Sequence, residues 1–385
     1  MKYEIETIND LCKKITDGSH FSPEHEDSGE YQMYSVKDME YNGFINSNCK
    51  MIGKEMFMKL LKSDCRPLKN DILIAKDGSY LKYAFKVKED LNACILSSIA
   101  ILRPNEKMIN PDYFVYLMRS QSIKSAMANY VSGSALPRII LSDFKKMKLK
   151  IISDINVQQK IANILSRYDE AIENNNKRIK LLEQMAQNLY KEWFVRFRFP
   201  GYEHCEFENG IPKGWYVEKL GNVANISTGK CNREDAEDDG TYPLFDRSQE
   251  IKLSNDWIKD CEAIIVPGEG TSFIPRYFVG KFNLHQRCYC VEPKTDKTGK
   301  FLFYTLMLNR RYFLSVATGA TVPSLRYNNF AKMKFVMPEL DVCQKFDDYV
   351  TKYFLEIDNL KASNENLAKQ RDLLLPRLMS GKLEV

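Results

Sequence analysis

The sequence predicts an α+β chain, with two small domains of twisted sheets plus helices separated by two long helices packed as an antiparallel coiled coil. Three observations predict it. One stretch recurs about half a chain later. A heptad-spaced apolar seam follows each copy. The residues before each copy alternate short β-type runs with turns. At 385 residues the chain is long enough for two or more domains.

The repeat comes first, because missing one misreads a fold. GSALPRIILSDFKKMK, starting at Gly133, matches GATVPSLRYNNFAKMK, starting at Gly319, at an offset of 186 residues. Gly133 aligns with Gly319, Pro137 with Pro323, and Phe144 with Phe330. Lys146, Met147 and Lys148 align with Lys332, Met333 and Lys334. Past a one-residue gap the offset becomes 185, and Val157, Gln159 and Lys160 align with Val342, Gln344 and Lys345.

The helices follow from spacing. Steps of four and three run through Ile161, Leu165, Tyr168, Ile172, Asn175, Ile179, Leu182, Ala186, Leu189 and Trp193. The matching run is Phe346, Val350, Tyr353, Ile357, Leu360, Asn364, Leu367, Arg371 and Leu374. Both are mostly apolar heptad seams, each interrupted by one asparagine, a residue that costs stability but fixes register. Arg371 is a poor seam residue and predicts a weaker second seam at that point. Ordinary amphipathic surface helices are the alternative, but about four sustained heptads favour two helices of this chain packed together. From Lys160 to Trp193 is 34 residues, or roughly 50 Å at ~1.5 Å per residue, long for a compact domain and suited to a spacer. Pro200-Gly201 is expected to end the first helix and Pro376 the regular part of the second.

The halves themselves read alike. Asp71–Lys76 followed by Asp77-Gly78-Ser79, and Ala263–Val266 followed by Pro267–Gly270, are each a strand and a turn. Ile95–Leu102 and Arg287–Val291 are further strands. Helices are expected near Asp112–Val131 and Lys300–Ala317. The boundaries drawn are 1–155 and 201–342 for the domains, with helical spacers at 156–200 and 343–385. Loop residues able to touch phosphates or base edges are Ser19, His20, Lys76, Ser79, Arg138, Lys230, Arg233, Arg247, Gln249, Arg276, Arg287 and Arg326. Taken singly, each is at least as readily an ordinary solvated side chain. The 21 Tyr and 21 Phe can stack on bases, but most belong to cores.

Composition narrows the class. Hydrophobic residues are 44% and charged residues 28%, as in ordinary globular proteins. No apolar run nears the ~18 residues of a membrane span, and the N-terminal stretch lacks a signal-peptide core, so a cytoplasmic location is expected. Ten cysteines contain no CxxC, and Cys288 and Cys290 stand on alternate positions of a strand, as reduced core residues do. The four histidines have no paired cysteines to complete a zinc site. A net charge of +5 is compatible with nucleic acid and does not argue it alone.

The sequence carries none of the common catalytic motifs. There is no Pro-Pro for an Asn/Asp-Pro-Pro-aromatic base-holding loop and no phosphate-binding Gly-Lys-Ser/Thr loop. Asp112 with Asp143 and Lys145 faintly suggests a nuclease, but the repeat puts Asn329-Phe330-Ala331 where Asp143-Phe144-Lys145 stands. Glu269 and Asp77 sit in turns and can accept from cytosine, although stabilising the turn is the commoner role.

Asn188-Leu-Tyr-Lys-Glu-Trp-Phe-Val-Arg-Phe-Arg-Phe-Pro-Gly201 closes the first helix with interleaved rings and arginines, and Leu373–Lys382 closes the chain. Gly214-Trp215, Leu220-Gly221 and Ile226-Ser-Thr-Gly229 open the second half, with Ile15-Thr-Asp-Gly18 as a counterpart in the first. On these segments the whole chain resembles the specificity subunit of Type I restriction–modification systems. The rings of the first segment read equally as a cap on the helix, which is compatible with that resemblance. The resemblance implies a non-catalytic subunit with two target-recognition domains, each reading half of a split double-stranded DNA site. It implies paired helices that set the unread gap, on the scale of one helical turn, ~34–36 Å. It also implies two methyltransferase subunits and further restriction subunits as partners, with S-adenosylmethionine, ATP and Mg on those partners and no cofactor or metal here. A Type IIB-like specificity subunit or an unrelated coiled-coil scaffold is the alternative, and an intrinsic nuclease a third.

Overall fold

The computed structural model describes residues 2–47, 49–77, 83–129, 131–132 and 138–385. Gly133, Pro137 and the Gly78-Ser79 turn therefore lie outside the described residues. The chain divides into two compact units, Met1–Asn175 with Ala362–Val385, and Asn176–Lys361. Both cuts fall inside the long helices, so each unit holds a globular part and a piece of each helix.

In the first unit a four-stranded sheet runs Cys12–Asp17, Ile99–Pro104, Ile72–Ala75, Ala84–Lys86, and a three-stranded sheet runs Lys50–Ile52, Tyr31–Tyr34, Ala93–Ile95. Ile72–Ala75 is buried throughout, which explains its unbroken apolar sequence. The expected strand Ile95–Leu102 is two strands, Ala93–Ile95 and Ile99–Pro104, because residues 96–98 turn the chain from one sheet to the other. The expected helix over 112–131 is also two, Pro111–Arg119 and Gln121–Ala128. Asn110 caps the first by accepting from the Tyr113 amide at 2.9 Å, and Ser120 in extended conformation breaks the run.

The second unit repeats this plan in one six-stranded sheet, ordered Ala224–Thr228, Cys288–Pro293, Lys259–Pro267, Arg276–Leu284, Tyr242–Phe245, Lys252–Ser254. Its long strand Arg276–Leu284 does the work of two strands in the first unit, pairing with Lys259–Pro267 at one end and in parallel with Tyr242–Phe245 at the other. Its helices are Gly299–Leu308 and Arg310–Val316, interrupted at Asn309. The nine-residue helix Lys54–Lys62 belongs to the first unit only.

The repeated residues build a shared frame. Phe144 and Phe330, and Met147 and Met333, are all buried. Lys148–Ile152 pairs with Tyr3–Thr7 as Lys334–Met337 pairs with Tyr216–Lys219. The Ile8 amide donates to the Met147 carbonyl as the Leu220 amide does to Met333. Gly18 and Gly229 hold one position: a Cβ there would overlap the carbonyl of Ile95 or Leu284. Only glycine allows that approach, so the pairing of Ile15–Gly18 with Ile226–Gly229 has a steric basis.

The long helices are Ile155–Tyr190, continued by a π-type turn Lys191–Val195, and Leu340–Met379. In the first unit Ile161 and Leu165 share a core with Leu375 and Leu378. In the second, Ile179 packs with Ile357 and Leu360, and Tyr190 with Phe346 and Val350. Early residues of one helix meet late residues of the other in both units, so the pairing is antiparallel. Asn175 and Asn364 face each other, Nδ2 donating to Oδ1 at 2.9 Å. Of the seam residues, Ile161, Leu165, Ile179, Phe346, Val350, Ile357 and Leu360 are buried, and Tyr168, Ile172, Leu182, Leu189, Tyr353, Leu367 and Leu374 are half-buried.

Three expectations about these helices are corrected. The seam does not weaken at Arg371, which is buried with Asp169 as its partner. Pro376 does not end the regular part of the second helix, which runs on to Met379 with Leu375 and Leu378 on either side of the proline anchored in the first unit's core. The first helix stops before Pro200-Gly201, where Tyr190, Trp193, Phe194 and Phe199 turn into the second unit's core. Trp215 stacks on Phe199 with centroids 5.0 Å apart. These rings cap the helix against the following domain. No helix of the described residues is long and apolar enough to cross a membrane.

Candidate nucleic-acid interface

Each unit presents the same backbone construction where its strands end. In the first, the Lys76 amide donates to the Ser98 carbonyl, and the Ile139 amide returns to the Lys76 carbonyl. In the second, the Gly268 amide donates to Arg287 and the Leu325 amide returns to Gly268. Asp77 bridges to Arg138 and Glu269 to Ser324, so Asp77 and Glu269 occupy one position of the frame. Leu96 and His285 likewise correspond, their amides donating to Tyr34 and Phe245.

Side chains on this construction differ. In the first unit Lys76 is 4% exposed and pairs with Asp17, whose other oxygen lies 3.3 Å from His20 Nε2. Ser19 is also buried, its hydroxyl donating to the Phe21 carbonyl at 2.7 Å. Ser19 and Lys76 were expected at the surface. Both instead face inward, because Asp17 at the strand end draws the lysine in and the Ser19 hydroxyl closes its own turn. His20 stays exposed, Arg138 pairs with Asp77 at 3.1 Å, and Ser79 lies outside the described residues.

The second unit gathers more of the expected residues. Arg247 Nη1 donates to Glu269 Oε2 at 2.8 Å, and Arg287 donates to Glu269 Oε1. An open pocket of about 300 Å³ is lined by Arg233, Asp246, Arg247, Ser248, Glu269, Gly270, His285 and Val322. Arg276, expected at the surface, is a staple: it donates to the carbonyls of Ser248 at 2.8 Å and Asp246 at 2.5 Å and lies over the Phe245 ring. Gln249 and Lys230 are exposed. Arg326 is exposed too, and its amide donates to Asn329 Oδ1 at 2.6 Å to start a short helix.

Electrostatics sharpen the pocket. Burial pushes the Asp246 carboxyl up, but Lys252 and Ser248 outweigh it and hold it at about 2. Asp246 is thus an anion whose oxygens are already engaged, by Lys252 at 2.7 Å and by the Ser248 hydroxyl at 2.6 Å. Burial, reinforced by Arg247, pushes the His285 imidazole below its usual range, so it is neutral. The sequence reading missed His285. It also took Glu269 as a turn residue, whereas Glu269 ties two arginines together. A signal was present, since His285 stands two residues before Arg287.

Comparison with known proteins agrees with this geometry. The model of the Type I restriction modification DNA specificity domain matches residues 1–184 and again 212–369. The chain is 25% identical over 311 residues to the Type I restriction enzyme MjaIX specificity subunit of Methanocaldococcus jannaschii, covering 71% of this chain and 69% of that one. It is 23% identical over 421 residues to the MjaVIII specificity subunit of the same organism, covering 100% and 93%. The crystal structure of a Type I restriction–modification S subunit from M. genitalium superposes with a TM-score of 0.58 at 18% identity, covering 98% of this chain and 96% of that one.

Proposed function

The chain belongs to the family of Type I restriction modification DNA specificity domains, and we propose that each of its two units reads one half of a split double-stranded DNA site. It is a DNA-recognition subunit without a catalytic role of its own, and methyltransferase and restriction subunits are its partners. The observation that carries the two-part reading is the duplicated frame with unlike side chains. One backbone construction occurs twice, carrying Leu96, Ser98 and Asp77 in one unit and His285, Arg287 and Glu269 in the other.

Two methyltransferase subunits and further restriction subunits would then join, bringing S-adenosylmethionine, ATP and Mg with them. The boundaries 1–155, 156–200, 201–342 and 343–385 separate recognition domains from helical spacers. The exposed residues His20, Arg138, Lys230, Arg233, Arg247, Gln249, Arg287 and Arg326 are the contacts this reading favours, with phosphates fixing register and base edges giving sequence.

Sequencing of modified bases, with the chain co-expressed with its methyltransferase subunit, tests the reading. A methylated two-part adenine motif that disappears without this chain is expected. A continuous motif, or one independent of the chain, overturns it. Inserting four residues, about one turn, into both long helices should change the gap and leave both half-sites intact.

A further inference from the structure

The pocket of the second unit sets the donors Arg233, Arg247, Ser248 and His285 beside two carboxylates, Asp246 and Glu269, both already engaged by the protein's own donors, and Arg287 joins it through Glu269. Arg247 and Arg287 are about half exposed, with side chains at 49% and 52%, while the Glu269 carboxylate between them is 14% exposed. Glu269 therefore lies behind the two guanidinium groups and uses one oxygen for each. At the pocket floor His285 is 7% exposed. Its Nδ1 accepts the Arg287 amide at 3.0 Å, which in a neutral imidazole leaves the proton on Nε2 as a donor. Asp246 has its oxygens turned to Lys252 and Ser248.

We propose that this pocket reads a guanine, with Arg247, Arg287 and His285 donating to its N7 and O6 and Glu269 positioning the two arginines. The inference rests on the DNA-recognition role proposed above and adds a base and its readers. The chemistry selects among bases. In the major groove guanine shows two adjacent acceptors, whereas adenine and cytosine show an amino donor and thymine a single acceptor beside a methyl. Each carboxylate oxygen of the pocket already accepts from Arg247, Arg287, Lys252 or Ser248, so the open groups are donors and an amino group would meet no free partner. A backbone phosphate is also an acceptor, but a carboxylate between the two arginines weakens their field for an anion while leaving their forks aligned for a neutral edge.

The first unit supplies tolerated replacements, because its frame carries Leu96, Ser98 and Asp77 at the corresponding positions. The test is modified-base sequencing in cells holding the complete chain with its methyltransferase subunit, for wild type and for H285L, R287S, R247K, R287K, E269Q and E269D. A guanine is expected in one half-site. R247K, R287K, R287S, H285L and E269Q should make that position degenerate, on the order of tenfold more methylation at sites with another base there, and leave the other half-site unchanged. E269D should keep the motif, since a shorter carboxylate still holds the arginines.

Several outcomes overturn the proposal. They are a half-site pair without guanine, an unchanged motif in all the variants, and methylation that falls uniformly with the motif intact, the mark of a phosphate contact. Loss of all methylation in both lysine variants also overturns it. A wild-type chain that directs no two-part motif is a different failure, that of the underlying reading.

Discussion

The two places where a globular part grips the long helices use opposite chemistry at equivalent positions. In the first unit the grip is polar and buried. Asp169 accepts from the Tyr116 hydroxyl at 2.7 Å, from Arg119 at 3.2 Å, and from Arg371 of the second long helix. Arg119 and Arg371 both lie over the Tyr41 ring, 3.9 and 4.4 Å from its centroid. In the second unit the residue at the repeat offset of 185 is Phe354. It meets Tyr277 with centroids 5.2 Å apart and Phe303 at 6.1 Å, and nearby Phe194 packs on Phe301 and Phe346 at 4.8 and 5.0 Å. Charge remains close by, with Lys300 paired to Asp347 at 3.0 Å, but not at that position. Duplication preserved where the grip falls and not how it holds. The difference also opposes mispairing: two copies of the second long helix set antiparallel in this register would place Arg371 against Phe354 instead of Asp169.

The largest expected effects separate the two grips. Asp169→Ala removes the carboxylate shared by two buried guanidinium groups and should cost about 3–5 kcal/mol. Phe194→Ala removes a ring from a filled core and should also cost about 3–5 kcal/mol. Urea unfolding distinguishes the causes when repeated with Asp169→Leu and Arg371→Met together. Removing Arg371 together with Asp169 takes away one of the two guanidinium groups that lose this acceptor and should recover part of the first loss, because the penalty lies in the buried charge. Equal losses for the single and double variants would break the contrast.

How much of this was legible in the sequence follows the same divide. Regular spacing carries the frame. The offset matches put Phe144, Met147, Phe330 and Met333 in the cores, and the four-three steps found the buried seam from Ile161 to Leu360. Partners distant in sequence were not legible. Arg371 looked like a fault because a seam is read along one helix, and its acceptor Asp169 is 202 residues away. Ser19 and Lys76 read as loop residues open to DNA, yet both are buried, through Asp17 and through the turn that the Ser19 hydroxyl closes. His285 and Glu269 gained meaning only when the frame set them beside Arg247 and Arg287. Sequence texture marks a loop, whereas the partners its side chains find depend on the fold.

A smaller effect tests the helix pairing itself. Asn175 and Asn364 form one side chain hydrogen bond within a mostly apolar seam. Replacing both with leucine should stabilise the chain modestly, by about 1 kcal/mol, since polar seam residues hold register at a cost in stability. The same change should lower specificity of pairing, seen as oligomers on gel filtration with light scattering. A double variant that is less stable and strictly monomeric would show the pair is not a register device.

The smallest effect lies on the solvent side of the same pairing, in the second unit. Arg178 Nη2 and Glu356 Oε1 are 2.7 Å apart, but both side chains are well exposed, at 52% and 41%. Water screens such a pair, and holding two long side chains in one geometry costs entropy, so exposed pairs contribute only about 0.2–1 kcal/mol. Arg178→Ala should therefore shift the urea midpoint slightly, and the shift should vanish in 1 M salt, where the Debye length falls to about 3 Å. The Asp169 loss should persist in the same buffer, because buried pairs are screened far less. If salt removed both losses alike, Asp169 would not be held in a water-poor network, and the distinction between a polar grip and a surface contact would fail.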